Sequence, residues 1–458
     1  MGLAALVFGA ALAYLASRLR PEWMGVFFVG VLLSTAVSVV LQNRDLRVDL
    51  PPDIGESAAD RAGQIITLVC LTVALERAVR FVLRREYTQA RGGWLLTTLL
   101  LFIVAVNLLG SSLGTHSGFS VHLLYAPLFA VAVFAYAQEN VERCVIVTRD
   151  SLLVFLLASL AVLPIRREMV AEPNYAFSFV PGVTDRFYGF ASHANTLAPL
   201  CFVLMSCLLL QPFRRRWLTM LAWIVASICV VLTQSKTSIA LAILLVAVIL
   251  IRAKLRVARE RDGTTMGIRT LRLLTGLSLA ATVVLTLSLL GMVAIPKFTE
   301  MLPPIVDIQQ MSSLTGRTTI WSETLKVVRA NPLFGYGPTL WDLDFQRKTG
   351  MGFSHAHSQY VQTLGAAGIV GLVALICYLL VLLRTSWRAR VGSRGVSFAL
   401  ALFVIIRGIT EVPLSVSTAM QGEFLIQMFL LALCVGYLPA TQRRSSIGIR
   451  QRSWESRP

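Results

Sequence analysis

Residues 355–383 read HAHSQYVQTLGAAGIVGLVALICYLLVLL, a short polar segment followed by an apolar run, residues 359–383, that contains no charged side chain. A helix needs roughly 20 mostly apolar residues to cross a bilayer, so this run is long enough to do so. Similar runs recur along the chain, of which 56% is hydrophobic and 14% charged, with a mean hydropathy of +0.70. This composition is far from that of a soluble domain. We therefore predict an integral membrane protein.

The apolar runs are predicted to form helices rather than the strands of a barrel. In hydrocarbon every backbone N–H and C=O must find a partner within its own segment, and these runs are too long for barrel strands with alternating polarity. The runs lie at residues 3–18, 22–41, 62–82, 93–109, 119–137, 151–165, 195–211, 217–233, 237–252, 273–295, 359–383, 396–410 and 422–438.

The first run, residues 3–18, is the weakest. It lacks a positively charged leading end and a cleavage site of small residues, so we interpret it as retained rather than as a signal peptide. If it is short, tilted or interfacial, the remaining runs leave both chain termini on the same side. We predict an all-α, polytopic integral membrane protein with about 12 transmembrane helices.

Charge gives the predicted orientation. The net charge of +18 is carried mostly by short connectors between apolar runs rather than by a stripe on a soluble domain, which argues against nucleic-acid binding. Lys and Arg are in excess in cytoplasmic loops, so the connectors RFVLRREYTQARGG, ENVERCVIVTRD, QPFRRRW, RAKLRVARERDG and LRTSWRARVGSRG are predicted to be cytoplasmic. The predicted divisions are transmembrane helices with short loops over 1–295, a long outer loop over 296–358, further transmembrane helices over 359–438, and a basic cytoplasmic tail over 439–458.

All five histidines fall on or beside the predicted non-cytoplasmic face: His116, His122, His193, His355 and His357. Polar residues in loops are common, so each could be incidental. Together they favour chemistry that faces outward. The seven cysteines form no disulfide or metal pattern, since six lie inside apolar runs.

The outer loop 296–358 is long enough to carry structure of its own. Its segment GRTTIWSETLKVVRANP has apolar residues at helical spacing, including Ile320 and Trp321, and ends at Asn331 and Pro332. We predict an amphipathic helix over the bundle with Arg317 at its N-terminal end, where a guanidinium group and free N–H groups would bind phosphate.

Two other outer segments carry polar residues beside apolar runs. The segment DRFYGFASHANTLAPL holds Arg186, His193 and Asn195, and Asn195 is placed to cap the helix that follows. Lys236 lies in the turn TQSKTS. A third feature, the acids of WDLDF, has the spacing of a metal-binding pair, but two carboxylates in a loop are too few ligands, so we predict no metal site.

These segments together resemble the O-antigen ligases and the wider family that they share with O-antigen polymerases. His357 and Ser358, with Gly368 and Gly371, match the form H-[N/S/Q]-x9-G-x-x-G. RFYGFASHANTLA, TQSKTSIALAIL and GRTTIWSETLKVVRANPLFGYG are similar to three further family segments, in family order, so the resemblance covers about residues 180–375. One departure is Lys236, where the family more often has arginine.

The resemblance implies a GT-C-like membrane transferase at the periplasmic face of a bacterial inner membrane. Its donor would be a glycan on undecaprenyl pyrophosphate and its acceptor lipid A-core, without a cofactor or metal. By the same match, His357 would be the general base and Arg317 and Arg186 would stabilise the leaving pyrophosphate. The implied substrate-binding residues are His193, Asn195, Lys236, Trp321, Gly335, Gly337 and Ser358.

Three alternatives stay open from the sequence. An O-antigen polymerase would use the same donor and join it to another lipid-linked glycan. A protein O-oligosaccharyltransferase would modify Ser or Thr, but such relatives tend to be longer. A transporter would be expected to show inverted repeats and ionisable groups at the bilayer midplane; the best candidate for such a group, Arg407, could instead pair with Glu411.

Overall fold

The structure is a computed structural model, and it describes residues 25–47, 58–175, 178, 183–236, 238–239, 308–350, 352 and 354–439. The first apolar run, the predicted spans 237–252 and 273–295, the start of the long outer loop and nearly all of the basic tail lie outside these residues.

Helices make up most of the described chain. The α-helices are α1 Gly25–Leu41, α2 Ala58–Leu83, α3 Gly93–Ile103, α4 Gly110–Leu113, α5 Tyr125–Val162, α6 Arg167–Val170, α7 Ala194–Leu210, α8 Arg216–Leu232, α9 Ile308–Ala330, α10 Leu343–Thr349, α11 Gln359–Ala389, α12 Val396–Arg407 and α13 Gly422–Gly436. A π turn, Val104–Leu109, joins α3 to α4, and 3-10 turns lie at Glu86–Thr88 and Val121–Leu124. Two short antiparallel strands, β1 Ala171–Glu172 and β2 Arg186–Phe187, pair Glu172 with Arg186.

The fold is that of a helical membrane protein. Within the described residues, three helical stretches are long and apolar enough to cross a bilayer: Gly93–Leu113, Val121–Val162 and Gln359–Ala389. Five shorter apolar helices, α1, α7, α8, α12 and α13, accompany them. The predicted total of about 12 spans extends over residues outside the described part, and it stays a prediction.

Helix α5 corrects one predicted boundary. The runs 119–137 and 151–165 were expected to be separated by a basic loop, but residues 125–162 are helical throughout, apart from a kink at Asn140 (φ −119°, ψ 28°). The connector ENVERCVIVTRD contains neither glycine nor proline, and the chain is helical on both sides of Asn140. The interruption is confined to the kink at Asn140, which has non-helical backbone dihedrals.

Contacts between connectors divide the bundle into two ends. At one end, Ser159 accepts a hydrogen bond from the Phe190 N–H (3.1 Å), and Asn107 donates to Leu123 O (3.0 Å) and Val416 O (2.9 Å). This end carries the histidines and is called the site end. At the other, basic end, Arg91 donates to Gln138 O at 2.7 Å and to Leu438 O at 2.8 Å, and Arg149 donates to Gln211 O at 2.5 Å.

Helix α11 is broken near its start, and a loop fills the break. Gly368 has φ 61° and ψ −159°, which interrupts the helical hydrogen bonding. The loop 332–337 supplies the missing partners: Tyr336 N–H donates to Gly365 O at 2.8 Å and Gly337 N–H to Ala366 O at 3.0 Å, while Pro332 O accepts from Ile369 N–H at 2.9 Å. The loop thus supplies hydrogen-bond partners to backbone groups on both sides of the break.

The filled break joins two helices that are distant in sequence. The loop follows directly after α9, and its other edge accepts hydrogen bonds from the N–H groups of Thr115 (3.1 Å) and His116 (2.8 Å). A Cβ added at Gly335 would lie 2.4 Å from Gly365 O, so only glycine fits there. The relative placement of α9 and α11 is therefore set by backbone contacts.

We predict that Gly335→Ala strongly destabilises the protein and that Gly350→Ala does not. Both glycines have φ 67°, so both variants bear the same backbone strain, of order 1–3 kcal/mol. Only Gly335 has neighbouring backbone in the path of the new methyl group, whereas nothing lies within 4 Å of Gly350. Thermal unfolding and size-exclusion profiles in detergent measure the difference; equal effects of the two substitutions would contradict the packing role of Gly335.

Candidate active site

The candidate active site is organised around Glu411, in the segment between α12 and α13. Glu411 is 6% exposed. Its Oε1 accepts a hydrogen bond from Asn195 Nδ2 at 2.8 Å and lies 4.0 Å from Arg317 Nη2. Its Oε2 lies 3.7 Å from His357 Nδ1. Residues from three separate parts of the chain therefore meet on one carboxylate.

Glu411 is ionised in this setting. Burial by itself would raise the pKa of its carboxyl group, but the hydrogen bond from His357 and the charge of Arg407 outweigh burial and lower the pKa to about 2. Arg407 is 2% exposed and its Nη2 donates to the backbone oxygen of Asn195. Arg407 therefore holds the backbone of Asn195, and the side chain of Asn195 in turn donates to Glu411.

The segment that carries His357 is fixed by hydrogen bonds. His357 has φ 48°, a left-handed conformation that histidine adopts more readily than most residues. Its N–H donates to His355 Nδ1 at 3.1 Å. Ala356, between the two histidines, accepts from Trp321 Nε1 at 2.8 Å and donates to Gln362 Oε1 at 2.8 Å.

Gln359 connects this segment to the one that carries Glu411. Its N–H donates to Gly408 O at 2.8 Å, and its side-chain Oε1 accepts from Leu414 N–H at 2.8 Å. The two contacts lie on either side of Glu411 in the sequence. The buried side chain of Gln359 thereby sets the distance between His357 and Glu411.

Arg186 reaches the site through Asn195. Its Nη2 donates to Asn195 Oδ1 at 2.9 Å and its Nε donates to Thr233 O at 3.2 Å, which uses two of its five N–H donors. Its guanidinium carbon lies 4.6 Å from the Tyr175 ring centroid. Asn195 thus bridges a guanidinium group and a carboxylate.

The prediction that Asn195 caps α7 is wrong. His193 is the N-cap: its Nδ1 accepts from Asn195 N–H at 3.0 Å, and α7 begins at Ala194. Asn195 lies in the first turn, and its side chain is free of capping and available to Arg186 and Glu411. Burial, with the nearby Arg186, lowers the pKa of His193 to about 3, so the ring is neutral and can accept.

The predicted helix N-terminus at Arg317 is also wrong. Helix α9 begins by Ile308, so Arg317 lies within it, because the preceding residues through Gly316 do not stop the helix. Arg317 acts as a side chain alone, 22% exposed and directed toward Glu411. Of the predicted apolar face, Ile320 is buried, whereas Leu325 is 43% exposed.

The remaining predicted binding residues lie in different settings. Trp321 holds the histidine segment, as described above, and Ser358 is buried at the N-cap of α11. Gly335 and Gly337 belong to the loop that fills the helix break. Lys236 is exposed in the turn after α8. Contacts with substrate at these positions stay predictions.

Asp342 and Asp344, set aside as a metal pair, have other partners. Asp342 caps α10 by accepting from Phe345 N–H at 2.8 Å, and Asp344 lies 3.4 Å from Arg347 Nη1.

The family comparison covers the central part of this site. The family model described as O-antigen ligase matches residues 220–376, which include Arg317, His355 and His357. The match covers 157 of the chain's 458 residues, and over this range the chain is similar to the O-antigen ligases. No curated protein matches the chain. Arg186, Asn195 and Glu411 lie outside the matched range, so their place in the site comes from the structure.

Sequence reasoning missed two residues of the candidate site. Glu411 was considered only as a partner for Arg407, and Gln359 was not considered at all. The one sequence signal for Glu411 was an acid at the end of an apolar run, opposite a predicted cluster of arginines and histidines.

A grouping of possible metal ligands occurs here. His355, His357 and Glu411 each place a ligand atom within 4.8 Å of the others, and two imidazoles with a carboxylate can bind a transition metal. However, the Nδ1 lone pair of His355 accepts the His357 N–H, and Arg407 and Arg317 add positive charge to the same surroundings. The set fits a cation poorly.

We predict that acid destabilises the protein less when His193 is replaced by Asn. A histidine titrates near 6.5 when unfolded and this one at about 3 when folded, so between these values only the unfolded chain binds the proton. The free energy of unfolding is therefore at its full value when the pH is above the pKa of the unfolded histidine. Below that pH it falls by at most about 1.4 kcal/mol per pH unit as acid is added. Asn keeps the capping acceptor and removes the titration.

The measurement is the thermal unfolding midpoint from about pH 7.5 to about pH 5. His193→Asn should lose less stability than the wild type, while the control His122→Asn, at an exposed histidine, should follow the wild type. Equal slopes for all three proteins would contradict the prediction.

Proposed function

We propose that this protein is an O-antigen ligase that transfers a polysaccharide from undecaprenyl pyrophosphate to lipid A-core at the periplasmic face of the inner membrane. The match of residues 220–376 to the O-antigen ligase family model supports a glycosyltransferase of the ligase or polymerase type. The observation that carries the proposal is the meeting of His357, Arg317 and the Asn195-held Arg186 around Glu411.

His357 is the proposed general base. It takes the proton of the acceptor hydroxyl as that oxygen attacks the anomeric carbon of the donor. The imidazolium that forms lies 3.7 Å from the carboxylate of Glu411, whose negative charge stabilises it. Glu411 itself stays ionised, because its pKa is held near 2.

The arginines are proposed to bind the departing pyrophosphate. As the new glycosidic bond forms, the bond from the anomeric carbon to the phosphate oxygen breaks, and the electron pair leaves with the pyrophosphate. Direct attack from the opposite side inverts the anomeric centre. Guanidinium groups suit this role because they make paired, charge-assisted hydrogen bonds to phosphate oxygens.

The same arrangement supports a reaction that needs no metal. Pyrophosphate is already a good leaving group, and two guanidinium groups supply the positive charge that a divalent ion would otherwise supply. The three potential metal ligands are engaged in hydrogen bonds and charge contacts with one another, which supports this part of the proposal.

We predict that His357→Ala and Arg317→Ala abolish transfer while the proteins insert and accumulate normally. Loss of a general base costs typically 10²–10⁴-fold in rate, and loss of a pyrophosphate donor about as much. Arg329→Ala is the matched control for Arg317→Ala, since Arg329 is exposed near the end of the same helix. Near wild-type transfer by His357→Ala would show that the base is another group.

The decisive experiment is transfer in vitro by the purified protein in nanodiscs. Undecaprenyl-pyrophosphate-linked glycan is the donor, lipid A-core is the acceptor, and an excess of chelator is present. We expect glycosylated lipid A-core at the same rate with and without chelator. Elongation of the lipid-linked donor alone would make the protein a polymerase, and rescue by added Mg²⁺ would contradict metal independence.

A further inference from the structure

His355 stands two residues before the proposed base, and the family motif does not select it. It is half-buried and packs edge-to-face on His357, with ring centroids 4.2 Å apart and an interplanar angle of 61°. Its Nδ1 accepts the backbone N–H of His357 at 3.1 Å.

The hydrogen bond at Nδ1 determines both the tautomer and the charge of the His355 ring. A neutral imidazole has one acceptor nitrogen and one N–H donor, so acceptance at Nδ1 places the hydrogen on Nε2. A protonated ring would have no acceptor and would break the contact. The bond therefore requires one tautomer of the neutral ring.

The hydrogen bond from His357 N–H to His355 Nδ1 also acts on a residue with an unfavourable backbone conformation. His357 is held at φ 48°, a conformation that costs of order 1–3 kcal/mol for a residue other than glycine unless the surroundings enforce it. Trp321 and Gln362 fix the neighbouring peptide of Ala356, and His355 Nδ1 accepts the backbone N–H of His357 itself. Without it the direction of the His357 side chain would be set less firmly.

We propose that His355 is a positioning residue: as a neutral imidazole it holds the His357 backbone in the left-handed conformation through Nδ1, and so aims the His357 ring at Glu411 and the acceptor hydroxyl. The inference rests on the proposed function for its effect on transfer, and on geometry alone for the hydrogen bond.

The surroundings of His355 keep the ring neutral. The charged and titratable groups facing it are His357, Glu411, Arg407 and Arg317. Burial, followed by the charge of His357, lowers the pKa of His355 to about 4, although Glu411 acts in the opposite direction. The ring therefore remains an acceptor throughout the range in which the proposed base works.

Two substitutions test the roles of the two ring nitrogens of His355 independently. In His355→Asn the amide oxygen can occupy the place of Nδ1 and accept the His357 N–H. In His355→Gln the polar group lies near the place of Nε2 and the acceptor beside His357 is lost. We expect His355→Asn to keep most of the wild-type kcat and His355→Gln to lose about 100-fold with KM little changed, the scale expected for a misplaced catalytic group.

Several outcomes would overturn the inference. If His355→Gln were active and His355→Asn inactive, Nε2 would contact substrate and positioning through Nδ1 would be wrong. If both variants matched the wild type, or if both lost activity equally while folded by size exclusion and thermal unfolding, the acceptor would have no special role. A loss confined to KM would indicate substrate binding instead.

A second measurement is independent of activity. In protein labelled with ¹⁵N at its five histidines, the signal that disappears in His355→Asn should show an unprotonated Nδ1 and a protonated Nε2 from about pH 7 to about pH 5. A protonated Nδ1 would overturn the inference. If the wild type fails to transfer glycan at all, the proposed function fails, and this spectrum still decides whether the hydrogen bond exists.

Discussion

A buried carboxylate is the interaction on which the candidate site depends. Taking an ion out of water costs several kcal/mol unless hydrogen bonds and opposite charges compensate for it. Glu411 obtains this compensation from Asn195, Arg317 and His357, with Arg407 behind them. Because these residues come from distant parts of the chain, the need to compensate one charge brings α7, α9, α11 and α12 together at a single point.

Glu411 could not keep these residues together if the helices were free to slide against one another. The loop after α9 is hydrogen-bonded into the break in α11, and Trp321 is hydrogen-bonded to the peptide between the two histidines. Gln359 then ties the start of α11 to both sides of Glu411. Arg44 does the same for the Arg186 segment, since its guanidinium group donates to the carbonyls of Met169, Gly189 and Ala191. Hydrogen bonds to backbone groups thus fix the positions of the helices and loops, and charged contacts with Glu411 fix the side chains between them.

The sequence predicted the class of fold and part of the site for identifiable reasons. Long apolar runs can only be helices in hydrocarbon, so the helical membrane fold followed from composition. His357 and Arg317 were found because each belongs to a motif that is local in sequence. Glu411 and Gln359 were missed because their importance lies in contacts across more than 50 residues, which no local pattern records.

The errors in prediction have the same origin. A cap was assigned to Asn195 from residue preference, but the side chain is engaged by Arg186 and Glu411, and His193 caps instead. A helix was started at Arg317 from the spacing of the apolar residues after it, but the helix already runs from Ile308, and Gly316 does not end it because glycine alone weakens a helix without stopping it. At Asn195, tertiary contacts decided which residue caps the helix.

The break at Gly368 divides α11 into parts with different surroundings. Residues 359–367 are bound to the loop and to α12, whereas the part that follows exposes an apolar stripe: Ile369, Val373, Ile376 and Leu380. Such a stripe suits contact with lipid chains, and a helix in contact with them tilts when bilayer thickness changes. The loop is hydrogen-bonded to both sides of the break, since Ile369 N–H donates to Pro332 O at 2.9 Å and Tyr336 N–H donates to Gly365 O at 2.8 Å. The part of α11 that carries the apolar stripe and the part that begins beside the histidines are therefore anchored to one and the same loop.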